Sequence, residues 1–306
     1  MSLKRSIKFK QIGFAATFGL LASCSQEMPK HMEPLSYQLR TAMGMRGMTQ
    51  DAPIMLRIFK QESQLEVWKM SETGRYAQLA SYPVCQWSGV LGPKLQEGDR
   101  QAPEGFYPVS QGQMNPWSSY YLSFNMGFPN RFDRALGRTG SNLMIHGACS
   151  SAGCYSMTDD IIADIYSLAR EAFIGGQEAF QIQAFPFRMT QENMEIHQEH
   201  PDFAFWQNLK IGYDAFNATG FPPKVTVCGG TYVFNTEFDV PEERIDARRP
   251  CPTGRSINFT NWDQMTGESV PPVPTGPQPQ YIPTGNQQTS LEVPGQVYTI
   301  LIGSIS

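Results

Sequence analysis

The chain has 306 residues, with 24 Lys+Arg against 28 Asp+Glu for a net charge of −4; hydrophobic residues make up 41%, aromatic residues 12% and charged residues 17%. That aromatic share can build a core and excludes a charge-driven disordered chain. No apolar run approaches about 18 residues, so a spanning helix is excluded, and the acidic balance offers no footprint for nucleic acid.

In chain order, Lys4, Arg5, Lys8 and Lys10 precede an apolar stretch from Ile12 to Ala22. A basic segment and a short apolar one make an export signal over residues 1–23, too short for a permanent anchor. The run Leu21-Ala22-Ser23-Cys24 resembles the bacterial lipobox. That resemblance implies lipidation of Cys24 and cleavage before it, with ordinary cleavage near Ala22 as the alternative. Ser25 rather than Asp implies the outer membrane over the inner one. The expected location is the periplasm, with membrane contact through the lipid at Cys24. Residues 1–23 hold four positive and no negative charges, so the mature chain carries −8. Its cysteines face an oxidising compartment.

Residues 24–50 are expected to be a tether leading into a short helix around Leu35 to Met45. PIMLRIFK (53–60) and QLEVWKM (64–70) alternate like half-buried strands, and YAQLASYPVCQW (76–87) is a third. Gly92, Pro93, Gly98, Pro103 and Gly105 mark loops and tight turns beside a strand. YYLSFNMGF (120–128) and SNLMIHG (141–147) are further strands. Thr158 can cap a helix with Asp159 and Asp160 in its first turn. Ile161, Ile162, Ile165, Leu168, Ala169 and Ala172 make one helical face, closed by Gly175-Gly176. AFQIQAFPFRM (179–189) is a strand interrupted by Pro186, followed by a helical segment over about 191–209. KVTVCGGTYVFN (224–235) suits a hairpin. Residues 266–290 are Pro-, Gly- and Gln-rich and read as a disordered linker, and residues 291–306 as an apolar, strand-like tail.

Chemistry concentrates at Ile145-His146-Gly147-Ala148-Cys149-Ser150-Ser151-Ala152-Gly153-Cys154-Tyr155-Ser156-Met157. A thiol of pKa about 8.5 is mostly protonated at neutral pH, and a neighbouring imidazole can take its proton. Gly153 lets the backbone approach a substrate, and amides around Gly153 and Cys154 could donate to an oxyanion. The alternatives are two core residues, or a zinc site from His146, Cys149 and Cys154 without a clear fourth ligand. No C-x-x-C pair exists for a redox role.

This text, with FPNRFDRALGRTGSNLMIHG (128–147), LGPKLQEGDRQAPEGFYPV (91–109) and FQIQAFPFRMT (180–190), resembles the L,D-transpeptidase catalytic domain (YkuD-like) and its YafK-like murein transpeptidase subgroup. The resemblance covers roughly residues 50–190. It implies a mainly β fold with flanking helices (α+β), a curved mixed sheet or sandwich, with the catalytic domain over 51–212 and a C-terminal extension over 213–265. It implies Cys154 as nucleophile, His146 as proton donor and acceptor, the Gly153 backbone at the oxyanion, and no metal or cofactor. Ser151 matches the Ser or Thr ahead of the nucleophile. Arg188, Asp133 and Arg138 lie in the matching segments and are the candidates to bind substrate charges. The implied substrate is peptidoglycan, cut at an L-centre to D-centre bond of the murein stem through a thioester. Ala152 stands where most members have a second His, and Met157 where they often have Arg. Hydrolysis of murein or protein–murein amide bonds therefore stays open beside cross-linking, with a murein-linked lipoprotein as a possible partner. A non-catalytic peptidoglycan-binding lipoprotein is the other class.

Cys85, Cys149, Cys228 and Cys251 allow three pairings. Cys228–Cys251 is preferred because both lie outside the catalytic segment, which leaves Cys85 with Cys149. A Cys149–Cys154 bond would instead inactivate reversibly.

Overall fold

The computed structural model describes residues 28–257 and the strands Leu291–Val293 and Gln296–Tyr298. The export signal, Cys24 and the 266–290 linker lie outside the described residues. In chain order the strands are β1 (Ile54–Phe59), β2 (Gln64–Met70), β3 (Tyr76–Pro83), β4 (Gln86–Trp87), β5 (Gly105–Ser110), β6 (Met114–Asn115), β7 (Ser123–Asn125), β8 (Met144–His146) and β9 (Tyr155–Ser156). They continue with β10 (Ala179–Phe185), β11 (Val225–Cys228), β12 (Thr231–Phe234), β13 (Thr236–Phe238), β14 (Gly254–Ser256), β15 (Leu291–Val293) and β16 (Gln296–Tyr298). The helices are α1 (Tyr37–Gly44), α2 (Arg131–Ala135), α3 (Asp159–Ile174), α4 (Gln191–Ile196) and α5 (Phe203–Thr219). This is the mainly β, α+β class expected.

Two five-stranded mixed sheets carry the architecture, one ordered β3-β2-β1-β10-β5 and the other β4-β9-β8-β7-β6. The only parallel pairs within them are β1 with β10 and β8 with β9. Helix α3 starts where the Thr158 hydroxyl accepts from Ile161 N–H, and its apolar face (Ile161, Ile162, Ile165, Leu168, Ala169, Ala172) is wholly buried. That face shares one core with β1, β8 and β9 residues, and with Leu35, Leu39 and Met43 around α1. The stretch expected to be a tether thus ends as part of the core.

β1 departs from the half-buried pattern: all six residues are buried. Its second face is covered by α5, where the Arg57 guanidinium lies 4.2 Å from the Tyr213 ring centroid and 5.0 Å from that of Phe216. Charged residues at alternate positions were therefore no sign of solvent, because aromatic rings cover them. The boundary expected at 212/213 is also corrected. It falls inside α5, which packs Leu209, Tyr213, Val227 of β11 and Tyr232 of β12 into one cluster with Phe106 of β5. Cys228 bonds to Cys251, and the hairpin turns at Gly229-Gly230, both with positive φ. In the tail, β15 and β16 pair with each other.

Candidate active site

The second sheet presents the candidate residues. His146 ends β8, and β8 runs parallel to β9 with Ile145 opposite Tyr155 and His146 opposite Ser156. Cys154 lies one residue before β9, opposite Met144, whose N–H donates to Cys154 Sγ at 3.4 Å. Side chains alternate along strands, so Cys154 and His146 fall on one face. A strand spacing of about 4.8 Å and a two-residue offset of about 6.6 Å put their Cα atoms about 8 Å apart. Cys154 is half-buried and is the free cysteine among the described residues. Its thiol also faces the Asn142 carbonyl at 3.7 Å.

Burial pushes the Cys154 thiol above its ordinary value, against smaller opposing effects of the Met144 N–H and the Lys94 charge. Burial likewise pushes His146 below its ordinary value, opposed by its bond to Gly147. Both shifts favour the neutral forms, a thiol and a neutral imidazole, over an ion pair. His146 Nδ1 lies 2.6 Å from the Gly147 carbonyl oxygen. A carbonyl only accepts, so Nδ1 carries the hydrogen and Nε2 keeps its lone pair, the form a base needs. The Tyr120 ring, half exposed, flanks the imidazole at 4.7 Å.

The turn between the two residues is tied down where it leaves β8. Ala148 and Cys149 both have positive φ. Ala148 N–H donates to Asp159 Oδ1 at the start of α3 (2.8 Å), Cys149 N–H donates to the Met157 carbonyl (3.1 Å), and Cys149 is disulfide-bonded to Cys85. That pairing removes Cys149 from any zinc set with His146 and Cys154.

Several expected roles need correction. The Gly153 N–H, expected at the oxyanion, donates to Ser88 Oγ at 2.8 Å. The Cys154 N–H has no hydrogen-bond partner among the described residues and is the donor left for an oxyanion. Ser151 donates to the Cys154 carbonyl at 2.7 Å and lies 2.6 Å from Ser88 Oγ, so it braces the turn. Asp133 and Arg138, expected to hold substrate charges, pair with each other at 3.0 Å, Asp133 fully buried. Asp133 also closes the capping box of α2 with Asn130 and accepts from Tyr107. Arg188 is paired with Glu66 at 2.6 Å and lies over Phe59. These three charges are satisfied inside the scaffold.

Sequence reasoning gave no role to Ser88, which follows the third expected strand, or to Lys94, Asp99 and Arg100 in the breaker-rich segment read as loops. That segment is anchored by the fully buried pair Lys60–Glu104 (2.9 Å). Glu104 accepts from Gly92 N–H (2.8 Å) and Trp206 Nε1 (2.9 Å), while Lys60 donates to the Gly92 carbonyl (2.8 Å). Tyr155 reaches back to the Pro103 carbonyl at 2.8 Å. The signal in the sequence was three acids and two bases (Lys94, Glu97, Asp99, Arg100, Glu104) among turn residues, too many charges for a bare connection. A cavity of about 780 Å³ opens elsewhere, between β5, the turn after β7 and β11, with neither Cys154 nor His146 in its wall.

A lone thiol, a base in the accepting tautomer and an unpartnered amide beside the sulfur can together run acyl transfer. Comparison with known proteins agrees with that class. Residues 56–174 match the family model for the L,D-transpeptidase catalytic domain, YkuD. The chain is 44% identical over 216 residues, 70% of its length and 82% of the relative's, to the protein named "Putative L,D-transpeptidase YafK" of Escherichia coli strain K12, with the same figures for that of strain O157:H7. The chain belongs to the L,D-transpeptidase (YkuD) family. Two remote structural likenesses are Pgp2 of Campylobacter jejuni, described as a helical cell shape determining protein, and Bd1075 of Bdellovibrio bacteriovorus. The first has a TM-score of 0.36 at 18% identity over 62% of this chain and 66% of that one. The second has a TM-score of 0.32 at 21% identity over 63% and 69%.

Proposed function

We propose that this chain is a peptidoglycan L,D-transpeptidase in which Cys154 is the nucleophile and His146 the proton carrier. The observation that supports the reading is the strand register: β8, which ends at His146, runs parallel to β9, which begins one residue after the free Cys154. Cys154 attacks the carbonyl of an L-centre to D-centre bond in a murein stem as His146 Nε2 takes the thiol proton. The new S–C bond gives a tetrahedral oxyanion, with the Cys154 N–H as a donor to it. The C–N bond then breaks, and the leaving amine takes the proton from His146. An amine attacking the thioester forms a cross-link; water attacking it gives hydrolysis. The lipobox text at Cys24 supports an envelope protein held in the periplasm by lipid, at the outer membrane, and a murein-linked lipoprotein as a further partner.

The test is incubation of full-length protein and Cys154→Ala with murein stems, followed by muropeptide analysis and by mass spectrometry with a carbapenem. Wild type is expected to form a covalent adduct and new cross-links, and Cys154→Ala neither. New amine termini without cross-links identify a hydrolase of the same mechanism. Sacculus binding that survives in both proteins without chemistry identifies a non-catalytic binder and defeats the reading.

A further inference from the structure

Among the described residues around the turn of Cys154, one cation has nothing to neutralise it. Lys94, the charge already acting on the thiol, is buried and bonded to Asp99 at 2.5 Å and to the Gln96 carbonyl at 3.0 Å. Arg138 and Arg188 are paired, as described. Arg100 is exposed and makes no hydrogen bond or ion pair among the described residues. Its backbone lies against the turn of the nucleophile, since a methyl group placed on Gly153 would sit 3.9 Å from Arg100 Cα.

Its position is also fixed. Arg100 holds a positive φ of 53° between two anchored neighbours. Asp99 accepts from Leu95, Gln96 and Gln101 amides at 2.9, 3.0 and 3.0 Å. The Gln101 side chain bonds the Gly92 carbonyl at 2.7 Å and accepts from Val90 N–H at 2.9 Å. The loop is thus pinned on both sides of Arg100, whose backbone adjoins the turn before Cys154 and whose exposed side chain is left unpaired among the described residues. A guanidinium in that position is a bidentate receptor for a planar carboxylate.

We propose that Arg100 is a specificity-determining residue that anchors a carboxylate of the acyl donor beside the Cys154 sulfur. The claim deepens the proposed function and rests on Cys154 as the nucleophile. The acyl donor it selects is an anionic peptide, with a free carboxylate close to the scissile carbonyl.

The experiment has two arms on the full-length protein. In the first, alkylation of Cys154 by iodoacetate and by iodoacetamide is compared for wild type, Arg100→Gln and Arg100→Lys. These reagents share a reaction and differ in charge, and no turnover is needed. The iodoacetate-to-iodoacetamide rate ratio is expected to fall several-fold in Arg100→Gln, to recover in Arg100→Lys, and to fall in wild type as salt is raised. An unchanged ratio overturns the proposal. In the second arm, KM for stems with free carboxylates is expected to rise about 10- to 100-fold in Arg100→Gln with kcat nearly unchanged. Stems amidated at those carboxylates should not distinguish the variants. Equal loss on both stems overturns the proposal. Absence of turnover in wild type defeats the proposed function, while the alkylation ratio still decides whether Arg100 recruits anions.

Discussion

The two sheets meet the same task by different means. In β3-β2-β1-β10-β5 every strand runs six to eight residues, and β2 pairs with β3 at seven positions. In β4-β9-β8-β7-β6 no strand exceeds three residues. The long sheet holds its register through ladder bonds and two covered faces. The short one, which carries His146 and leads out of Cys154, is held by side-chain links: a disulfide, two serines and an aspartate at a helix start. Segments too short to hold themselves leave the backbone free to take the positive φ values at Ala148, Cys149 and Gly153 that the site uses. Rigidity is then supplied residue by residue.

The sharpest way to break this contrast is at the site itself. His146→Gln is expected to lower acyl-enzyme formation about 10²- to 10⁴-fold, the usual worth of a positioned base, while the melting temperature changes little. Single-turnover carbapenem acylation followed by mass checks it. A loss under threefold would mean that the thiol is activated by some other group.

The scaffold's own equivalent is the buried pair Lys60–Glu104. Glu104→Ala removes the partner of a fully buried ammonium and frees Trp206 Nε1, at a cost of about 3–5 kcal/mol. Thermal unfolding should show it as a drop of roughly 6–20 °C for a domain of this size. Burial already presses the Lys60 ammonium towards its neutral form, so the variant should recover stability as pH rises, when the unpartnered lysine can lose its proton. A variant as stable at pH 6 as at pH 9 would show that the ammonium finds water.

How much of this was legible follows the same divide. The long strands, the α3 face from Ile161 to Ala172 and its Thr158 cap were readable, because each is a periodic pattern with one physical cause. The helix crossing 212/213 was not, since Tyr213 and Phe216 look like loop aromatics until Arg57 is seen beneath them. At the site, His146 and Cys154 were readable as residue types in a Gly- and Ser-rich turn. The substrate-binding set was not: Asp133, Arg138 and Arg188 stand out as charges within matching text, but Asp133 and Arg138 satisfy each other five residues apart, and Arg188 is satisfied by Glu66, far off in sequence. Arg100 was passed over because a lone arginine in a turn says nothing until Asp99 and Gln101 are known to be anchored. Charge in a sequence does not reveal which charges are neutralised.

The two disulfides test whether links matter more in the short sheet. Chain-entropy arithmetic on sequence separations of 64 and 23 residues gives about 4 kcal/mol for Cys85–Cys149 and about 3 kcal/mol for Cys228–Cys251. The stabilities lost in the two double-Ser variants should therefore be similar. Their activities should not: removing Cys85–Cys149 loosens the turn between His146 and Cys154, and transfer should fall well beyond the folded fraction, whereas the Cys228/Cys251 variant should keep full activity per folded molecule. Equal activity per folded molecule in both would mean that the serine and aspartate links suffice.

The smallest effect bears on the protonation state that the short sheet imposes. Burial raises the Cys154 thiol and lowers His146, so between those two values both groups are neutral and the base is ready. As pH falls through the lowered His146 value the imidazole gains a proton and can no longer accept one, so acylation should decline only below about pH 6.5, the ordinary histidine value. Alkylation of Cys154 by iodoacetamide follows the thiolate. Its rate should climb about tenfold per pH unit through neutrality and level off only above the ordinary thiol value of about 8.5. A resting thiolate–imidazolium pair would instead level off near or below pH 7. That single profile separates a base that acts only as the carbonyl arrives from one that has already taken the proton, and a plateau at low pH would show that the cleft stabilises charge more than its burial implies.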